Sequence, residues 1–419
     1  MRIPLTPTTD ANIRTRLLVV ALLLGGLPPL SAEPPRFSEA RLHGRSAYVL
    51  ENDLMRVAAL RGAGHLAEIR LKSSDPLISI NPMRVPHFPT IEPWEYDSEK
   101  HDRVYGSDTS RILQSGYMGH LLNFPRFGGP SSFEAENGLG NHGEALAVEW
   151  QLGQIKQTAD GVVVDYSAEL PKSQYNVGRT LTLAADETVL YIEEWVESLT
   201  DFDRPAHWVQ HVTFGPPFVE PGRTTLDMSA TQGKVPEGRT SNSLKGGDVR
   251  WPHGTSFDGQ PASLRPMQSR PKAGTYAGYL MDPTRKFSFF TMYHPNYKVL
   301  IGYVWRTKDF PWMGDWQENG SNEGLPWGGK VQARGMEFGT TPFGGPMEKV
   351  VEDGPLFGTP TYRWIGGRQR VTVRYIAFLA PIRIDFSGVT NVTVSRNRIT
   401  VQDRSGNMIS LKSEKSWQR

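Results

Sequence analysis

Short apolar runs that alternate with polar residues, each broken after a few positions by glycine or proline, commit this chain to β-structure. The clearest is Val371-Thr372-Val373-Arg374-Tyr375-Ile376-Ala377-Phe378-Leu379, in which Val371, Val373, Tyr375, Ala377 and Leu379 share one face by the period of two. Runs at 161–170, 188–198, 287–292 and 299–305 follow the same pattern. Near the C-terminus, runs at 392–394, 399–401 and 408–411 are separated by Arg396-Asn397 and Ser405-Gly406-Asn407, which reads as a meander. The 42 glycines and 32 prolines lie between these runs and form no low-complexity tract, as many strands joined by many turns require. Sustained helical periodicity is lacking, so an all-β sandwich with long loops is expected. No internal repeat or shift in composition marks a boundary, and residues 33–419 are expected to form a single domain. The polar, Gly/Ser/Pro-rich stretch 233–270 reads as a long loop or excursion, a place where binding function often resides.

Residues 1–32 have the features of a secretory signal peptide. Arg2, Arg14 and Arg16 precede the apolar run 17–27, Pro28-Pro29 break it, and Leu30-Ser31-Ala32 offers a cleavage site after Ala32. That run is short against the roughly 20 residues that span a bilayer. Export to the periplasm or the extracellular space is therefore expected, without a membrane anchor. The chain has no cysteine, which excludes disulfides and a lipid-modified cysteine, so a large core must hold the exported fold. A net charge of +2, spread without a basic block, argues against a nucleic-acid partner.

Three polar clusters combine ionisable groups with glycines and aromatics. The first is Gly138-Leu139-Gly140-Asn141-His142-Gly143-Glu144, following Gly116-Tyr117-Met118-Gly119-His120. The second is His207-Trp208-Val209-Gln210-His211-Val212-Thr213-Phe214-Gly215-Pro216-Pro217. The third holds Asp309, Trp312, Asp315, Trp316 and Glu318, and then Arg334-Gly335-Met336-Glu337-Phe338-Gly339. Trp305, Trp312, Trp316 and Trp327 lie in or beside this last cluster, and aromatic faces suit the C–H face of a pyranose. Two of these four are assigned to the core, as is Trp208.

The order of these clusters resembles the aldose 1-epimerase, or galactose mutarotase-like, superfamily. The resemblance covers most of the chain after residue 32, beginning at Tyr48-Val49-Leu50-Glu51-Asn52-Asp53, with a strand pair over 57–71 that turns at Gly62-Ala63-Gly64. It implies a galactose mutarotase-like β-sandwich (supersandwich) that binds a mono- or oligosaccharide and interconverts anomers without metal or organic cofactor. His211 takes the place of the general acid and Glu337 that of the general base. His142 takes the place of a substrate-binding histidine. Glu144, His120, Asp315, Trp312, Trp316, Glu318 and Arg334 complete the expected sugar-binding set. Hexose-6-phosphate epimerases of the superfamily carry an arginine three residues after the His-Gly pair; Leu146 stands there in this chain, which argues against a phosphorylated sugar.

Other chemistries remain open at this stage. His142, Glu144, His120 and His211 could supply metal ligands, although no tight ligand repeat such as His-Glu-x-x-His occurs. Tyr96, Tyr117, His120 and Arg126 could form the base and neutraliser of a polysaccharide lyase. Glu318 and Glu337 are the carboxylates to consider for a glycosidase. A non-catalytic oligosaccharide-binding module would use the same cleft. Nucleophilic hydrolysis lacks both a Gly-x-Ser-x-Gly elbow and a cysteine.

Overall fold

The alternating run near the C-terminus forms the strand Arg370–Pro381, seen in a computed structural model that describes residues 33–237 and 243–414. Val373, Tyr375, Ala377 and Leu379 enter the main hydrophobic core, with Val371 packed at its margin, whereas Ile376, Phe378 and Ala380 enter a second core. The continuous apolar stretch from Tyr375 onward reflects this burial on both faces. The signal-peptide reading falls on residues 1–32, outside the described residues.

Three antiparallel layers produce the two cores. The middle layer is an eight-stranded sheet in which Arg370–Pro381 lies between Val299–Arg306 and Val189–Ser198. A thirteen-stranded sheet packs on one of its faces across the main core. The meander Val389–Ser395, Arg398–Asp403 and Met408–Lys412 covers the other, contributing Val392, Ile399 and Val401 to the second core. In the larger sheet the strands His120–Asn123, Val209–Phe214, Gln332–Gly339, Trp312–Asn319 and Ala273–Met281 are neighbours in that order. Val212, Phe214, Met313, Met336 and Phe338 point from them into the main core. By strict alternation, His211, Glu337 and Gly314 occupy the outer face.

The stretch 233–270 differs from the expected loop. Ala230–Val235 pairs with Ala273–Met281, and the short strands Gly247–Arg250, His253–Thr255 and Pro261–Ser263 extend the larger sheet to its edge. Edge ribbons that are largely open to solvent bury few side chains and so carry little period-two signal. Among the described residues no helix is long and apolar enough to cross a membrane.

A buried polar network ties the two large sheets together. Arg179 and Glu194 form an ion pair with both side chains fully buried. Glu194 also accepts from Trp208 Nε1, Gln210 Nε2 and the Tyr375 hydroxyl. Gln210 Oε1 in turn accepts from Arg179 Nη2 at 3.2 Å and the Tyr375 hydroxyl at 2.9 Å. Removing one member of such a pair strands the other charge in a low-dielectric interior. Glu194→Leu is therefore expected to lower the unfolding free energy by about 3–5 kcal/mol, measured by urea denaturation. A loss below about 1 kcal/mol would show that the network contributes little.

Candidate active site

The register between Val209–Phe214 and Gln332–Gly339 places His211 directly opposite Glu337. His211 Nε2 lies 2.9 Å from Glu337 Oε1, and the two residues are 3% and 2% exposed. On the imidazole's other side, Nδ1 is 2.9 Å from the Thr213 hydroxyl, which is 3.0 Å from the Tyr117 hydroxyl. The second carboxylate oxygen of Glu337 accepts from the Tyr276 hydroxyl at 2.9 Å. Both partners are thus held at both ends, which orients the imidazole and the carboxylate before any ligand arrives.

Glycines make this packing feasible. Gly314 is the cross-strand partner of Glu337, and a Cβ there would lie 2.2 Å from the Tyr276 hydroxyl and 2.9 Å from Glu337 Oε2. A Cβ at Gly335 would lie 2.8 Å from His211 Cε1.

Aromatic rings wall the pair. Tyr117 stands edge-on to His211 with ring centroids 5.7 Å apart, and stacks on Trp316 at 6.3 Å. Trp327 packs against both Tyr117 and Trp316. The Arg84 guanidinium lies over the Tyr117 ring at 4.5 Å and donates to the Tyr117 carbonyl, which fixes that wall from behind. Burial lowers the affinity of Arg84 for its proton to about 10, and burial also pushes the Tyr117 phenol well above its ordinary range.

His142 completes the cluster. Its backbone adopts a left-handed conformation, with φ of 66°, and its ring centroid is 5.5 Å from that of His211. Nδ1 accepts from the Gly128 amide at 3.0 Å while Phe127 stacks on the ring. Burial, and secondarily the charge of His211, hold the His142 imidazole well below its ordinary range. It is therefore neutral at pH 7, with Nδ1 accepting and Nε2 carrying the proton as a donor.

Several residues expected at the site lie elsewhere. His120 is on the core face, hydrogen-bonded to Gln210 at 3.0 Å and to Tyr303 at 3.3 Å, one residue out of phase with the site face. Asp315 and Arg334 pair with each other on that same core-side face, and Arg334 also donates to the carbonyls of Leu264 and Arg265. Glu144 anchors the turn at Lys172 and Ser173 by accepting from both amides and the Ser173 hydroxyl. Glu318 holds the amides of Ser321 and Asn322. Trp312 shares the outer face but is fully buried, donating to the Pro360 carbonyl. Trp305 lies in the main core, whereas Trp316 and Trp327 stand at the site.

These placements also separate the competing constellations. The metal-ligand reading loses His120 and Glu144 to structural hydrogen bonds. The lyase reading divides between Tyr117 at the site, His120 in the core and Arg126 on the Gly345 carbonyl. Glu318 sits opposite Ala333, four residues along the strand from Glu337, and its carboxylate is taken up by the Ser321 and Asn322 amides. Tyr276 was not singled out from sequence, and Thr213, although it lies in the second cluster, was given no role. Their hydroxyls matter through cross-strand and same-face neighbours that no local motif reveals.

No protein-family model and no curated protein matches the sequence. Solved structures do match. A candidate aldose 1-epimerase from Klebsiella pneumoniae superposes with a TM-score of 0.60 at 11% identity, covering 82% of this chain and 83% of that one. A galactose mutarotase-like protein from Clostridium acetobutylicum gives 0.55 at 12%, over 83% and 99%. This is the galactose mutarotase-like fold. A candidate aldose 1-epimerase from Escherichia coli K12 gives 0.52 at 14%, over 81% and 100%. In this chain, His211 and Glu337 lie on the outer face of the larger sheet of that fold.

Four histidines besides His211 define a test of this electrostatic arrangement. Burial is the first cause holding His65, His120 and His142 well below their ordinary range and His207 at about 3. Their imidazoles stay neutral when folded but bind protons near pH 6.5 when unfolded, so their contribution to stability falls as pH drops below about 6.5. In an NMR titration their ring C2–H signals are expected to stay at neutral-imidazole positions down to pH 5.5. Titration of the His142 signal near pH 6.5, identified by its loss in His142→Asn, would contradict this assignment.

Proposed function

We propose that this protein is a carbohydrate-binding, aldose 1-epimerase-like enzyme that interconverts the anomers of a free reducing sugar by acid/base ring opening. The observation that carries the reading is the direct His211–Glu337 contact on the outer face of a mutarotase-like sheet. Ring opening needs a group to take the proton of the anomeric hydroxyl and another to give a proton to the ring oxygen. Glu337, as a carboxylate, takes the first. His211, as an imidazolium, gives the second.

The sugar ring then occupies the space between the two groups, in place of their direct hydrogen bond. The Thr213 hydroxyl supports the imidazole in either protonation state, since a hydroxyl both donates and accepts. Tyr276 steadies the carboxylate, and His142 donates from Nε2 to the ring oxygen or a neighbouring hydroxyl. Rotation about C1–C2 of the open aldehyde and reclosure on its other face invert the anomeric centre. Reclosure returns the proton from Glu337 to the new anomeric hydroxyl and the ring proton to His211, so the cycle balances without a cofactor. Trp316 supplies an apolar platform beside the pair.

Export through residues 1–32 belongs to the same proposal and suits an enzyme acting on free, unphosphorylated sugars. N-terminal sequencing of the exported protein is expected to begin at Glu33; an intact N-terminus would exclude cleavage.

The enzymatic test follows anomer interconversion of freshly dissolved aldoses by polarimetry or NMR. Glu337→Gln and His211→Asn are each expected to lower kcat/KM by about 10²–10⁴-fold. If the wild-type protein leaves the spontaneous rate unchanged while still binding sugar, the site is a binding module.

A further inference from the structure

A cleft of about 730 Å³ opens beside the catalytic pair, within the roughly 300–1,000 Å³ of sites that enclose drug-sized ligands. Two of its lining side chains touch residues of the His142, His211 and Glu337 cluster. Tyr276, which donates to Glu337, forms part of its wall, and so does Phe127, which stacks on His142. Phe343 and Leu356 add apolar surface to the lining, and Lys234 and Asp353 add polar groups. Phe343 also packs against Tyr276, with ring centroids 5.9 Å apart.

Two glycines in the lining bring their backbone segments into contact. A Cβ at Gly128 would lie 2.8 Å from the Gly344 backbone, and one at Gly344 would lie 2.7 Å from Gly128 Cα. The Gly345 amide donates to the Phe127 carbonyl at 2.9 Å, so the walls that carry Phe127 and Phe343 are joined at this point. The cleft is therefore lined by aromatic, aliphatic and charged side chains on joined backbone segments, and one of them is the tyrosine that hydrogen-bonds Glu337.

We infer that this cleft is a second sugar subsite, which makes the substrate the reducing end of a disaccharide or longer oligosaccharide, with the next residue lying against Phe343 and Leu356. The inference rests on the proposed anomer chemistry at His211 and Glu337. A monosaccharide engages that pair alone and leaves the cleft to water. Aromatic faces match the apolar faces of a pyranose, while Lys234 and Asp353 meet its equatorial hydroxyls. Lys234 belongs to Ala230–Val235, the first strand of the stretch whose polar composition marked it as a place for ligand contacts.

The test compares glucose, galactose and mannose, each as monosaccharide and as reducing 1,4-linked disaccharide, using the full exported protein. For the matching sugar, kcat/KM for anomer interconversion is expected to be about tenfold higher with the disaccharide. Lys234→Ala and Leu356→Ala are expected to shrink that ratio. Calorimetric affinities for the same six sugars separate the two proposals. Disaccharide-selective binding without anomer interconversion would retain the subsite and sink the epimerase reading. Failure of every disaccharide to exceed its monosaccharide in both affinity and kcat/KM would overturn the subsite, as would a ratio unmoved by both substitutions.

Discussion

The antiparallel register that sets His211 opposite Glu337 is the constraint on which the site depends. The same register sends Gln210 and Phe338 to the opposite face, where Gln210 joins Arg179 and Glu194 and Phe338 stacks on Trp305 with centroids 4.3 Å apart. A slip of one residue would exchange the two faces, placing the imidazole in the core and an amide in the site. Core and site therefore specify the same pairing. A fully buried ion pair is an uncertain source of net stability, but it penalises any register that leaves Arg179 or Glu194 unpartnered.

The architecture was legible because sheet burial leaves a period-two signal. The runs at 161–170 and 371–379 lie within strands close to their predicted bounds. The terminal meander was also legible from its turn residues, although its role as a third layer over Ile376 and Phe378 was not. Composition misread 233–270, since solvent-facing edge strands look like loops.

The candidate site was legible in part. Placing His211 and Glu337 side by side required only that two strands, more than a hundred residues apart, pair in one register, and the order of clusters along the chain suggested that pairing. His120, Asp315 and Arg334 sit in sequence among plausible site residues, yet each is out of phase with the site face, and phase becomes visible only once the partner strand is known. Glu144 and Glu318 were attractive as carboxylates in glycine-rich segments. Both carboxylates instead satisfy backbone amides of nearby turns and loops, Glu144 at Lys172 and Ser173 and Glu318 at Ser321 and Asn322. Tyr276 is the opposite case, a tyrosine in an ordinary strand that matters because Gly314 leaves room for its hydroxyl against Glu337.

The central claim is that a sugar's anomeric centre sits between the His211 imidazole and the Glu337 carboxylate. A crystal structure of the protein soaked with a free aldose tests it most directly. The account predicts the ring oxygen within hydrogen-bond reach of His211, the anomeric hydroxyl within reach of Glu337, and the direct contact between the two side chains broken. A sugar bound elsewhere, with the His211–Glu337 hydrogen bond intact, would contradict it.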